Sequence, residues 1–130
     1  MEQHRETVYR RDWSRCVAAE SGACRGGLTL QHRVNRGMGG SSGVGDGPQW
    51  FVTMCAHHNA LLEQSADAAA RGRWAGWSLP HLRAPEVLAR LVLKYPVLYG
   101  DGTWWFLDAE GLRIPCWDPV SAIARAEAGL

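Results

Sequence analysis

Cys16, Cys24, Cys55 and His58 are the residues of this chain best suited to hold a metal ion. Cys55 and His58 stand three positions apart, on one face at the start of a predicted helix, and Cys-x2-His is an ordinary zinc half-site. Cys16 and Cys24, in an upstream loop, offer the other half, for a Cys3His site holding one structural zinc. Their separation of eight positions is wider than a usual knuckle, so the competing reading is a pair of buried free thiols. Cys116 lies alone beside Pro115 and reads as a packed thiol.

A second group has proton-transfer and hard-oxygen chemistry. Gln31 and His32 adjoin at the end of a β-prone run, and Asn59 and Glu63 lie one turn apart on the predicted helix. Histidine accepts protons near neutral pH. Amide and carboxylate oxygens suit a hard divalent cation. Taken singly, His32 reads as an ordinary hydrogen-bonded histidine and Glu63 as a solvated helix charge. His57 points roughly 100° around the helix from His58, toward solvent or a phosphate rather than toward zinc.

These residues need elements to position them. Residues 28–32 (LTLQH) have β character and should form a strand ending at His32, and 50–54 (WFVTM) a second short strand. Between them, 36–48 is dominated by glycine and reads as a long loop. From Cys55 to about 71 the apolar spacing is helical, with Gly72 as the stop, and 6–15 forms a short helix or an irregular lead-in. The second half changes character. Residues 86–94 suit a helix, 97–99, 103–108 and 112–114 suit strands joined by Gly-containing turns, and 118–128 a terminal helix. Trp74, Trp77, Trp104 and Trp105 are expected to build its core. The fold class is therefore α+β: a small ββα-metal unit with a zinc knuckle over 1–71, then a β-hairpin or meander extension with a short terminal helix over 72–130.

Within 130 residues, 46% are hydrophobic and 21% charged, which is globular composition. The net charge of +1 argues against a uniformly basic nucleic-acid binder. Basic residues concentrate early, however. Arg5, Arg10, Arg11, Arg15, Arg25, Arg33 and Arg36 predict a positive N-terminal patch. No apolar run is long enough to span a bilayer and the first residues are polar, so the expected setting is cytoplasmic, where four cysteines favour metal over disulfides.

Three segments together, Leu28-Thr29-Leu30-Gln31-His32-Arg33, Arg36-Gly37-Met38-Gly39-Gly40 and Val52-Thr53-Met54-Cys55-Ala56-His57-His58-Asn59, resemble the HNH (ββα-metal) endonuclease family over about residues 10–71, closest to HNH-like proteins of actinobacterial phages. The resemblance implies hydrolysis of DNA phosphodiester bonds, in the host cytoplasm if the chain is phage-encoded. His32 matches the general base and Asn59 the helical ligand of one magnesium or manganese ion, with Gln31 and Glu63 as further ligands. Three positions depart from the pattern. Gln31 stands where an acid is usual, Trp50 where the middle asparagine aligns (Gln49 is next to it), and Asn59 replaces the commoner histidine. The alternative is a catalytically degenerate, zinc-stapled module that binds DNA or a protein partner. The C-terminal half is expected to offer a partner surface.

Overall fold

The β-prone runs on either side of the glycine-rich stretch pair with each other. In a computed structural model describing residues 2–19, 23–34, 45–80 and 83–130, strand β1 (Leu28–His32) lies antiparallel to β2 (Phe51–Cys55). The register sets His32 opposite Phe51, Gln31 opposite Val52 and Leu28 opposite Cys55. Residues 35–44, including Arg36 and Met38 of the expected loop, lie outside the described residues. The loop's end is ordered as a 3-10 turn, Pro48–Trp50, leading into β2.

Helix α1 (Glu2–Arg11) precedes this pair, starting earlier than its sequence pattern suggests. After β2 come two helices where one was expected: α2 (Ala56–Gln64) and α3 (Ala66–Trp74). The break is Ser65. Its backbone is extended, and its hydroxyl accepts from the Ala68 amide, so it caps α3 instead of continuing α2. Gly72 does not stop the helix but sits inside α3. A Cβ there would meet Leu62 Cδ2 at 2.7 Å, so its lack of a side chain lets α3 close on α2.

The second half follows its sequence pattern. Helix α4 (Pro85–Lys94) leads to a three-stranded antiparallel meander of β3 (Val97–Leu98), β4 (Trp104–Leu107) and β5 (Arg113–Pro115), and then to α5 (Pro119–Glu127). Asp108 turns the β4–β5 connection by accepting from the Glu110 and Leu112 amides, and Asp118 caps α5 at Ser121.

Strand β2 is buried on both faces. Val52 and Met54 join a cluster with Val17, Trp77, Val97, Leu98 and Leu107, while Phe51 joins one with Val8, Leu30, Leu79, Leu88 and Val92. Both clusters combine residues from either side of position 72. Of the tryptophans expected in the core, Trp77 is buried and Trp104 and Trp105 are half-buried, but Trp74 is exposed and meets Trp104 edge-on. Cys116 is buried, as its isolation suggested.

The expected basic patch is thinner than the sequence implied, because two of its arginines are interior. Arg11 forks onto Asp12 with bonds of 2.8 and 3.0 Å and donates to the carbonyls of Pro48 and Phe51. Asp12 also accepts from the Thr53 amide and the Tyr99 hydroxyl, so one buried carboxylate ties the end of α1 to β2 and to the meander. Arg33, with no exposed surface, donates to the carbonyls of Gly76, Gln49, Val92 and Tyr95. Burial first, and the neighbouring Arg11 charge second, pull its pKa down to about 9. Arg10, Arg15 and Arg25 remain exposed. Among the described residues no helix is long and apolar enough to cross a membrane.

Candidate functional site

The four predicted zinc ligands converge. Cys16 follows the turn that ends α1, Cys24 precedes β1, and Cys55 and His58 open α2. Two backbone bonds strap the Cys24 loop to the helix start: the Ala56 amide donates to the Gly27 carbonyl and the His57 amide to the Arg25 carbonyl. Gly26 makes the approach possible. Its φ is +76°, and a Cβ there would lie 2.9 Å from that of Ala56. The sequence signal for this strap was the Cys-Arg-Gly-Gly run, whose importance shows only once the helix lies against it.

The three sulfurs and His58 Nδ1 all lie within 4.8 Å of one another. Nδ1 is 3.5 Å from Cys16 Sγ, 3.7 Å from Cys24 Sγ and 3.2 Å from Cys55 Sγ. A tetrahedral zinc with ordinary Zn–S and Zn–N bonds has S···N edges of about 3.6 Å. Hydrogen bonding alone does not account for the cluster, because one Nδ1 lone pair cannot accept from three thiols at once. The group can therefore hold a metal such as zinc, and the competing reading of Cys16 and Cys24 as isolated buried thiols does not describe this geometry. Burial pushes the Cys16 thiol up to about 12 and raises Cys24. At Cys55 burial acts in the same direction, but hydrogen bonds from the backbone amides of His58 and Arg25 and from the Cys24 and Cys16 thiols together outweigh it and the pKa falls. Burial, then His57, lowers His58, favouring the neutral ring that a metal requires.

The second predicted group is brought together in part. Alternation along β1 places Thr29 and Gln31 on one face and Leu28, Leu30 and His32 on the other. Asn59, from α2, reaches the first of these faces: its Nδ2 donates to Thr29 Oγ1 at 2.8 Å, while Thr29 spends its own proton on the Met54 carbonyl at 2.7 Å. Since Thr29 Oγ1 has only acceptor capacity left, the amino group of Asn59 must face it and Oδ1 points away. Gln31 is oriented the same way. Its Nε2 donates to the His32 and Trp77 carbonyls, at 2.8 and 3.2 Å. Neither carboxamide oxygen accepts a hydrogen bond among the described residues. The sequence did not single out Thr29. Its place two residues before Gln31, hence on the same face of a strand, was the available signal.

His32 is half-buried, its ring edge-on to Phe51 at 4.9 Å, on the face opposite Gln31. Behind Phe51 on α1 stands His4, at 6.1 Å, its Nε2 3.2 Å from Asp46. Glu63 is exposed on α2, His57 is half-buried, and Trp50 and Gln49 are buried. Among the described residues the Cys3His group is the one cluster of three or more His, Cys, Asp or Glu ligands close enough to share a metal. For a hard cation Gln31 and Asn59 thus offer two neutral amide oxygens, and Glu63 lies one turn beyond Asn59 on the exposed surface of α2. No protein-family model, curated protein or solved structure matches this chain.

Proposed function

We propose that the chain is a metal-dependent HNH-type endonuclease that hydrolyses DNA phosphodiester bonds, its strand–strand–helix unit stapled by zinc at Cys16, Cys24, Cys55 and His58. The observation that carries this reading is the orientation of two carboxamides. Gln31 and Asn59 both spend their amino groups on protein acceptors, and both keep an oxygen free of protein donors on the face of β1 that α2 reaches, one residue along the strand from His32 in the case of Gln31. Hydrogen bonds that fix the outward-facing atom of a side chain are how ligands to hard cations are commonly held. A divalent magnesium or manganese ion at these oxygens would neutralise charge on the phosphate. His32 takes the proton from the attacking water, Phe51 holds its ring, and Thr29 holds Asn59 in place.

One observation favours the second reading, a non-catalytic zinc-stapled module that binds DNA. His32 faces Phe51, across the sheet from Gln31, and the ligand oxygens carry no charge. Supercoiled plasmid incubated with magnesium, manganese or neither decides between the two. His32→Ala should lose about 10²–10⁴-fold of the cleavage rate while zinc content and DNA affinity stay unchanged. Gln31→Asp, which restores a charge, should lower the metal concentration required. A wild-type protein that binds DNA and cleaves none with either metal would leave the binding module as the function.

A further inference from the structure

A strained tryptophan stands at the C-terminal end of α1. The helix closes with the Ser14 amide on the Tyr9 carbonyl and the Trp13 amide on the Arg10 carbonyl, at 2.8 and 3.2 Å. This closure puts Trp13 at φ +60° and Ser14 at φ +52°. The first of these is the position that glycine normally fills, because a side chain there crowds the backbone. The indole does not offset that cost by packing, since Trp13 is 71% exposed. A strained, exposed aromatic contributes little to folding and is well suited to contact something else.

Trp13 lines a cleft of about 390 Å³ together with Arg15, Cys16, Tyr99, Asp101 and Arg113. The Arg113 guanidinium lies over the rings of Trp105 and Tyr99, 4.1 and 4.7 Å from their centroids. These rings fix its plane and leave its N–H edge for a ligand. Neither Arg113 nor Arg15 makes a side-chain hydrogen bond or ion pair among the described residues. Both acids that line the cleft are already engaged: Asp12 is buried and paired with Arg11, and Asp101 accepts from the Thr103 amide and hydroxyl. Two guanidinium groups without hydrogen-bond partners among the described residues, beside a bare indole, match a phosphate next to a base, and fit an apolar protein anchor less well.

We propose that this cleft binds an unpaired DNA nucleotide, its base stacked on Trp13 and its phosphate held by Arg15 and Arg113. The proposal rests on the DNA reading above and extends it in space. The opposite end of α1 carries His4, against the Phe51 that also meets His32. A ten-residue helix is about 15 Å long. A strand held at Trp13 therefore runs along α1, past the exposed Arg10, toward His32. The cleft is a strand-binding subsite beyond the reacting phosphate.

Trp13→Gly tests this with two readouts of opposite sign. Glycine suits φ +60°, so the variant should melt at or above the wild-type temperature. Losing the stack should weaken binding of a short fluorescein-labelled oligothymidylate, followed by anisotropy, roughly five- to a hundred-fold. Arg113→Gln should lower affinity and reduce the slope of log K against log salt by about 0.7. Trp117→Ala removes an indole that is 90% exposed elsewhere on the surface, and should change neither. The proposal is overturned if Trp13→Gly binds like wild type, if it melts well below wild type, or if Trp117→Ala weakens binding as much. A wild type that binds neither single strands nor duplex overturns the DNA reading as well. Intact duplex cleavage with an unaffected Trp13→Gly overturns the cleft alone, and so does a Trp13-dependent protein partner without oligonucleotide binding.

Discussion

Replacing Arg33 by methionine tests the most unusual interior feature of this fold. The guanidinium has no exposed surface and holds four carbonyls, those of Gly76, Gln49, Val92 and Tyr95, at 2.8, 2.9, 2.6 and 3.0 Å. These carbonyls come from three separate segments, so one side chain at the end of β1 fastens the 3-10 turn, the turn after α3 and the end of α4. The Val92 carbonyl shows why it is needed. Its intrahelical donor would be the amide of residue 96, but that residue is Pro96, which has no N–H. Arg33 fills the vacancy and sets a positive charge at the negative end of the helix. Methionine matches the aliphatic stem and removes every donor. Four orphaned carbonyls cost about 1–3 kcal/mol each. Relief from burying an ion returns several kcal/mol, so a net loss of about 3–5 kcal/mol is expected. For 130 residues the unfolding entropy is about 0.27 kcal/mol/K, which converts the loss to a Tm lowered by about 11–18 °C. Thermal melts with saturating zinc, followed by tryptophan fluorescence, measure it. The exposed Arg10, changed to methionine, should shift Tm by no more than about 2 °C. An Arg33→Met shift under about 4 °C would refute the reasoning and make the carbonyl cage incidental.

Other perturbations read the metal centre and the second buried charge. Purified protein should carry about one zinc per chain, and chelation should lower Tm, because the ligand set closes the loops around a small core. Zinc affinity should fall as pH drops. In the metal-free protein the Cys16 thiol, pushed up to about 12 by burial, and the Cys24 thiol, also raised, are protonated at neutral pH, so binding must release roughly two to three protons, measurable by calorimetry in buffers of different ionisation heat; affinity independent of pH would exclude thiolate ligation. Asp12→Ala should cost about 3–5 kcal/mol in denaturant melts, since it strands the buried Arg11 beside Arg33, whereas Tyr99→Phe, which removes one donor to Asp12, should cost about 1 kcal/mol.

The sequence alone determined whatever depends on neighbouring residues. Cys55 and His58 share a helix face through their spacing, β1 and the 97–115 meander follow from β-prone runs between turn residues, and Asp118-Pro119 starts the last helix. The distant pair, Cys16 and Cys24, was legible for another reason: three thiols and an imidazole in so short a chain have few other uses together. What tertiary structure decided was the fate of side chains whose partners are remote in sequence. Arg11 and Arg33 read as surface charge, yet four distant carbonyls converge on Arg33, and the carbonyls of Pro48 and Phe51 draw Arg11 inward. Ser65 sits in a helical pattern, but it breaks the helix so that α3 can fold back, with Gly72 against Leu62. Trp13 resembles any core tryptophan until the closure of α1 turns it outward. Gln31 and Asn59 were named as ligands from resemblance. Only the Thr29 hydroxyl and the Trp77 carbonyl, on other segments, determine which of their two amide atoms faces outward. Periodicity and capping are local, so the order of residues encodes them directly. Burial of a charge and aim of a side chain depend on groups brought together by the chain's path, and no spacing in the sequence records them.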